Sequence, residues 1–353
     1  MDVEVPWVAA GKRMAVVSGG IGLIACFSAS PGYGQDAAKP SRGKASALTI
    51  TAKSVVSARG SALALIGRRF FVTGRLRGAQ PGETVLLTLF RPGRDGERRI
   101  RVSVKARRAG ATGRFVARVS VRRPGRLRIT AHREATGESS PSLKLRAVDP
   151  RLRFGSRGAL VEVLQRRLAA LRFSVRPTGV YDGATGRAVL AYREVGRLGR
   201  STTTDRRLVV RLLQGRGAFR ARFPEHGRHV EADLSRRVLA LLDGDRVVRV
   251  LHTSPGRPAT PTVMGSFRFY RKHPGRNASG MLHSSFFIRG YAVHGYGFVP
   301  TYPDSHGCLR IPNADARFVF DWIRIGDRID VYRTGPRRGR DRRGAEAPRK
   351  EKR

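Results

Sequence analysis

The residues that could do chemistry are concentrated in one short string, Ser305-His306-Gly307-Cys308-Leu309-Arg310-Ile311, with His294-Gly295-Tyr296-Gly297 just upstream. The chain has two cysteines. Cys26 falls in an N-terminal apolar stretch that looks like an export signal, which leaves Cys308 as the sole thiol of the expected mature protein. A lone thiol in an exported protein has no internal disulfide partner, so another use is indicated. The thiolate is the reactive form of cysteine, and a histidine or positive potential nearby raises its population. His294 is a candidate to take the proton, and Arg310 to add positive potential. Backbone N–H groups around Gly307 and Cys308 are candidates to hold a developing oxyanion, because glycine lets the chain turn tightly there. Those parts suit acyl transfer through a thioester. The bland alternative is an inert buried cysteine beside a satisfied histidine, and the density of the string argues against it. A zinc site on Cys308, His306 and His294 is weaker still. A His-x-Cys pair is tight for two ligands of one ion, and neither C-x-x-C nor H-x-x-x-H accompanies it. No metal or cofactor is expected.

Tyr291-Ala-Val-His294-Gly295, followed by Ser305-His-Gly-Cys308-Leu-Arg-Ile311, resembles the active-site pattern of the L,D-transpeptidases, the YkuD-type domain. The resemblance covers roughly residues 228–333. It implies a mainly-β catalytic domain with Cys308 as nucleophile and His294 as base. It assigns Ser305, His306, Gly307, Arg310, Gly295 and Tyr296 to the oxyanion site or to substrate binding. Thr260-Pro-Thr-Val-Met-Gly265-Ser-Phe267 is similar to the family stretch that lines the donor groove. Two departures bear on substrate detail rather than on the chemistry. The spacer between His294 and Ser305 is shorter than in much of the family, and Arg310 stands where some members have asparagine. The implied partners are peptidoglycan stem peptides, as donor and acceptor. The implied reaction is attack of Cys308 on the third stem residue, loss of the terminal D-alanine, and a 3→3 cross-link when a stem amine resolves the thioester. Water as acceptor makes the same site an L,D-carboxypeptidase.

These residues need a scaffold, and 353 residues with 40% hydrophobic content allow two to three domains. The expected fold is multidomain. Residues 1–45 read as a signal peptide, or a lipoprotein or membrane anchor, plus linker. Lys12 and Arg13 precede an apolar stretch at 14–29, with Pro31 and small residues after it. Leu23-Ile24-Ala25-Cys26 also resembles a lipoprotein processing box, which makes Cys26 a possible lipidation site. Residues 46–148 are expected to form an N-terminal β-sandwich spacer. Short β-prone runs at 48–50, 70–72, 84–90, 100–104, 114–119 and 127–130 are punctuated by Pro-Gly pairs.

Residues 149–214 change period. Leu160, Val163, Leu164, Leu168 and Leu171 recur helically, and Thr185 is a candidate cap for a second helix. Leu152-Arg-Phe-Gly-Ser-Arg-Gly158, Val161-Glu-Val-Leu-Gln165 and Gly179-Val-Tyr-Asp-Gly183 together resemble a small three-helix peptidoglycan-binding domain. The late Ala191-Tyr192-Arg193 departs from that pattern. Residues 215–227 read as a linker. The catalytic segment, 228–333, is expected to open with a hairpin at Asp243-Gly244 and to carry a short helix at 314–323 capped by Asn313. Residues 334–353 read as a disordered basic tail. His132, His252, His273 and His283 are expected in surface or satisfied core roles, although the resemblance places His283 near the groove.

The formal net charge is +44, from 70 Lys+Arg against 26 Asp+Glu. That balance implies a polyanionic environment. The basic residues are scattered through every segment, with no aromatic-interleaved or helix-turn-helix signature, so no specific nucleic acid is expected. Anionic wall polymers or a membrane surface are the expected counter-charge of an exported, wall-associated protein.

Overall fold

In the computed structural model, residues 47–91 and 97–335 are described. The export and lipidation readings at residues 1–45, Cys26 included, and most of the tail at 334–353 lie outside them.

The N-terminal part is built from alternation. Its strands are β1 (Leu48–Lys53), β2 (Val56–Ala58), β3 (Ser61–Leu65), β4 (Arg69–Ala79), β5 (Thr84–Phe90), β6 (Arg98–Ser103), β7 (Ala111–Ser120), β8 (Gly125–Arg133) and β9 (Leu143–Val148). Along β7, Gly113, Phe115, Ala117 and Val119 are buried while Arg114, Val116 and Arg118 face outward. A period of two puts one face of each strand into the core. The order β1-β4-β7 makes one sheet and β2-β3-β9-β8-β5-β6 the other. Both sheets contribute to one core that includes Phe70, Leu76, Leu87, Phe115 and Ile129.

Three helices follow: α1 (Ala159–Ala170), α2 (Gly183–Val195) and α3 (Arg206–Leu213). The side chain of Asp182 caps α2, accepting from the Thr185 N–H at 2.8 Å, so Thr185 is the receiver of the cap rather than the cap itself. Fully buried Gln165 ties α1 to the following loop. Its amide nitrogen reaches the Val180 carbonyl and the Thr185 hydroxyl, each at 2.8 Å, while its oxygen accepts from the Gly179 N–H at 2.8 Å.

The helices share an apolar core with elements on both sides, from Val56, Leu63 and Leu65 through Leu164, Leu168 and Tyr192 to Val238, Ala240 and Val250. The supposed linker at 215–227 is fitted into place rather than free. Phe219 joins that core, the Tyr192 hydroxyl donates to the Arg216 carbonyl at 2.7 Å, and the Arg222 and Phe223 N–H groups donate to Glu231 at 2.6 and 3.0 Å. All described residues fall in one compact unit.

The C-terminal part holds β10 (Arg228–Asp233), β11 (Val238–Asp243), β12 (Arg246–His252), β13 (Gly265–Arg268), β14 (Arg271–Arg276), β15 (Leu282–Ile288), β16 (Tyr291–Tyr296), β17 (Leu309–Pro312), α4 (Asn313–Trp322) and β18 (Arg328–Tyr332). β12-β11-β10-β18-β13 form one sheet and β14-β15-β16-β17 another. The hairpin turn at Asp243-Gly244 joins β11 to β12, with Gly244 at φ +61°. β12 is the last strand of its sheet, and its free side is met by backbone from the helical segment. The Val250 N–H donates to the Arg172 carbonyl at 2.8 Å, and the Ser174 N–H to the Val250 carbonyl at 3.2 Å. Asn313 does not cap α4. The helix begins at that residue, Pro312 precedes it, and no side-chain cap bond forms. No helix among the described residues is long and apolar enough to cross a membrane.

Candidate active site

β16 and β17 run parallel, with His294 opposite Arg310. Cys308 is the residue just before β17. The sheet thus brings the two strongest sequence candidates together, one on β16 and one at the entry to β17, fourteen positions apart in the chain.

His294 is 3% exposed. Its Nδ1 lies 2.9 Å from the Gly295 carbonyl, which can only accept, so Nδ1 carries the hydrogen and Nε2 keeps the lone pair. Burial pushes the imidazole below the usual histidine range, and the Arg310 charge pushes the same way, against the pull of the Gly295 carbonyl. Burial also pushes the Cys308 thiol up, opposed by the Ala292 N–H and by Arg310. Cys308 Sγ lies 3.8 Å from the Gly290 carbonyl oxygen, within reach of a thiol donor. No hydrogen bond joins Cys308 to His294 among the described residues. Both shifts run toward the neutral forms, thiol and imidazole. Arg310 acts on the thiol in the expected direction, but burial outweighs it. The Arg310 guanidinium is paired with Asp304 at 2.6 Å and lies over the Tyr296 ring at 4.2 Å.

The other expected site residues divide into braces and exposed groups. Ser305 is buried. Its hydroxyl donates to the Cys308 carbonyl at 2.6 Å and accepts from the Gly307 N–H at 3.0 Å, so it holds the turn together from inside. Gly307 has φ +119°, and an added Cβ would run into the Tyr291 ring, so both conformation and space demand glycine. Gly295 is buried under α4, where an added Cβ would sit 2.5 Å from the Ala316 Cβ. Its part is close packing and the carbonyl it offers His294. Tyr296 stands edge-on to His294 with ring centroids 5.9 Å apart. His306 is exposed, and its Nε2 accepts from Arg257 at 2.8 Å. The backbone N–H groups of His306 and Cys308 make no turn or loop hydrogen bond among the described residues.

The stretch at 260–267 packs on this turn through Thr260, whose hydroxyl donates to the Ser305 carbonyl at 3.2 Å, while the Arg257 N–H donates to the same oxygen at 2.9 Å. Sequence reasoning missed Asp304, Gly290 and Arg257. Asp304 lies next to the motif, yet its pairing with Arg310 follows from a loop closure that no periodicity announces. His283 packs against Phe320 of α4 with ring centroids 5.4 Å apart and the planes tilted by 44°. No three His, Cys, Asp or Glu side chains converge as a metal site among the described residues.

Residues 227–331 match the model of the L,D-transpeptidase catalytic domain, YkuD. Among solved structures, an L,D-transpeptidase from Xylanimonas cellulosilytica DSM 15894 aligns at 32% identity and TM-score 0.50, over 52% of this chain and 98% of that one. An L,D-transpeptidase from Stackebrandtia nassauensis aligns at 17% identity and TM-score 0.33, over 54% and 98%. One from Mycobacterium smegmatis aligns at 13% and 0.27, over 80% and 99%. No curated protein matches the sequence.

Proposed function

Starting from the L,D-transpeptidase catalytic domain that residues 227–331 form, we propose that this chain cross-links peptidoglycan through a thioester on Cys308. The observation that carries the reading is the contact of His294 Nδ1 with the Gly295 carbonyl. With Nδ1–H bound to Gly295, the basic nitrogen is Nε2, on a strand adjoining the thiol. As the Cys308 sulfur bonds to the carbonyl carbon of the third stem residue, Nε2 takes the thiol proton. The N–H groups of Cys308 and His306 stabilise the oxyanion. The imidazolium then protonates the departing D-alanine, leaving a thioester. An amine of a second stem attacks that thioester, gives up its proton to Nε2 and releases the thiol. Water in place of the amine yields a shortened stem, the carboxypeptidase outcome. No cofactor takes part in these steps.

The rest of the chain supports a wall location. The helical segment at 149–214 is proposed to bind peptidoglycan, on the motif likeness given above. The β-sandwich is proposed to rest against anionic wall polymers or a membrane surface. Lys53, Arg75 and Arg114, together with Thr49, Thr51 and Thr73, line a groove of about 440 Å³ on its three-stranded sheet. Export, with Cys26 removed or lipidated, completes the reading. The decisive experiment incubates the protein with a muropeptide digest and reads the products by mass spectrometry. A 3→3 dimer supports transpeptidation and a tripeptide alone supports hydrolysis. An unchanged digest overturns both.

A further inference from the structure

The chain holds a second acid–imidazole contact, away from Cys308. Glu194 on α2 and His252 at the end of β12 are each 2% exposed. His252 Nδ1 lies 2.8 Å from Glu194 Oε2, and His252 Nε2 lies 2.9 Å from the Pro300 carbonyl. A carbonyl only accepts, so Nε2 carries a hydrogen. The Nδ1–Oε2 contact then needs one more, shared between ring and carboxyl. Burial pushes the Glu194 carboxyl up, which favours such sharing. Arg200 approaches the other carboxyl oxygen at 3.4 Å. All three groups are satisfied only while they stay together, which makes the arrangement stiff.

Pro300 opens a run of held carbonyls. Those of Pro300, Thr301 and Tyr302 accept in turn from His252, from the Arg237 guanidinium and from the Ser254 hydroxyl, the last at 2.7 Å. The Asp304 and Ser305 N–H groups then donate to the Pro255 carbonyl at 3.0 and 3.1 Å. No helix or strand covers 297–304, so these bonds decide where the turn at 305–308 begins. Of the three side chains that hold the carbonyls, His252 is hydrogen-bonded to a residue outside 227–331, and Arg237 lies in the field of Glu194 and Arg200.

We propose that Glu194 and His252 are a positioning pair, through which the helical segment sets the loop at 297–304 and so presents Cys308 for acyl transfer. Docking of α2 is then a condition of turnover rather than a means of tethering. The turnover part rests on the acyl-transfer reading of Cys308, whereas the thiol-presentation part does not.

The test uses the full chain carrying Cys26→Ser, so that Cys308 is the only thiol. It measures kcat and KM on a disaccharide-tetrapeptide, the rate of Cys308 alkylation by iodoacetamide, and the thermal midpoint. In Glu194→Ala, kcat falls roughly tenfold to a hundredfold at nearly constant KM, as for a misplaced reacting group, and the alkylation rate changes with it. Glu194→Gln, whose amide can donate to Nδ1, restores both. His252→Asn keeps a donor toward Glu194 and loses Pro300, so it behaves like Glu194→Ala. His252→Gln reaches Pro300 and stays closer to wild type. A folded Glu194→Ala protein with unchanged kcat and alkylation rate overturns the proposal. If Glu194→Ala does not fold, the two His252 variants decide, and equal kcat and alkylation in both overturns it. If the wild type turns over no muropeptide, the acyl-transfer reading fails and the alkylation rates alone judge the pair.

Discussion

His294 Nδ1 sits 2.9 Å from the carbonyl oxygen of Gly295, its own neighbour on β16. The His294 imidazole, the proposed base, is thus oriented by main chain rather than by a carboxylate. A carboxylate would raise the imidazole's basicity, whereas burial lowers it here. Cys308 is moved the opposite way by the same burial. On the acyl-transfer proposal, both shifts favour transfer of the proton during attack on the donor rather than before it.

Cys308→Ser and His294→Ala should each lower acyl-enzyme formation by on the order of a thousandfold or more, with the double variant little worse than either. The fold should survive Cys308→Ser, a nearly isosteric change. The check is adduct mass after incubation with a donor peptide or a carbapenem. Retained acylation in Cys308→Ser, or an adduct mapped elsewhere, would show that the nucleophile is another residue. A dead His306→Ala beside an active His294→Ala would show the wrong base.

The pH profile of kcat/KM carries the sign of both shifts. Nε2 must be unprotonated, and its affinity for a proton is lowered, so the acid limb should lie below the ordinary histidine range. The thiol proton is held more tightly, so any alkaline change due to Cys308 ionisation should lie above the ordinary cysteine range. Arg310 pushes both groups down. Arg310→Gln should therefore move both limbs to higher pH. Limbs that move apart, or stay still, would remove Arg310 from the electrostatics of the site.

Gly295→Ala overpacks the contact between β16 and α4 and should cost about 1–3 kcal/mol. Ala316→Gly in the same chain should recover part of that loss, because the two Cβ positions compete for one space. Thermal melts of the two single variants and the double variant measure the coupling. Strict additivity would place the clash elsewhere.

An excised fragment of residues 149–214 should fold poorly or self-associate. Its apolar side chains pack on β2 and β3 on one side and on β11 and β12 on the other. Circular dichroism and sedimentation of the fragment check this. Peptidoglycan binding is better measured on the full chain across a salt series, since a purely electrostatic attachment fades as ions screen it.

Much of the candidate site was legible because it is contiguous. Gly307 and Ser305 sit inside the motif, and their bracing roles follow from a turn that only a glycine at that position can make. β10 was not legible. Its sequence Arg228-His229-Val230-Glu231-Ala232-Asp233 reads as a polar surface, yet His229, Glu231 and Asp233 are all buried. Glu231 accepts from Tyr332 at 2.7 Å as well as from Arg222 and Phe223, and no local pattern reveals such distant partners. His252 is similar: its two partners lie 58 and 48 positions away in the chain. Asn313 was misjudged because a good capping residue type stood where Pro312 already fixed the entry to α4. The short strands β2 and β3 lack a long enough alternation to stand out.

The two backbone hydrogen bonds of Val250, donated to the Arg172 carbonyl and accepted from the Ser174 N–H, bear on how the catalytic part behaves when cut away from its neighbour. In the intact chain they occupy the outer rim of β12. A catalytic fragment beginning at residue 227 would bare that rim, with the donors and acceptors of Val250 pointing into water. An open rim of this kind is a template for a strand from a second molecule. Such fragments should pair or precipitate through β12 as their concentration rises, even with the thiol and its histidine intact.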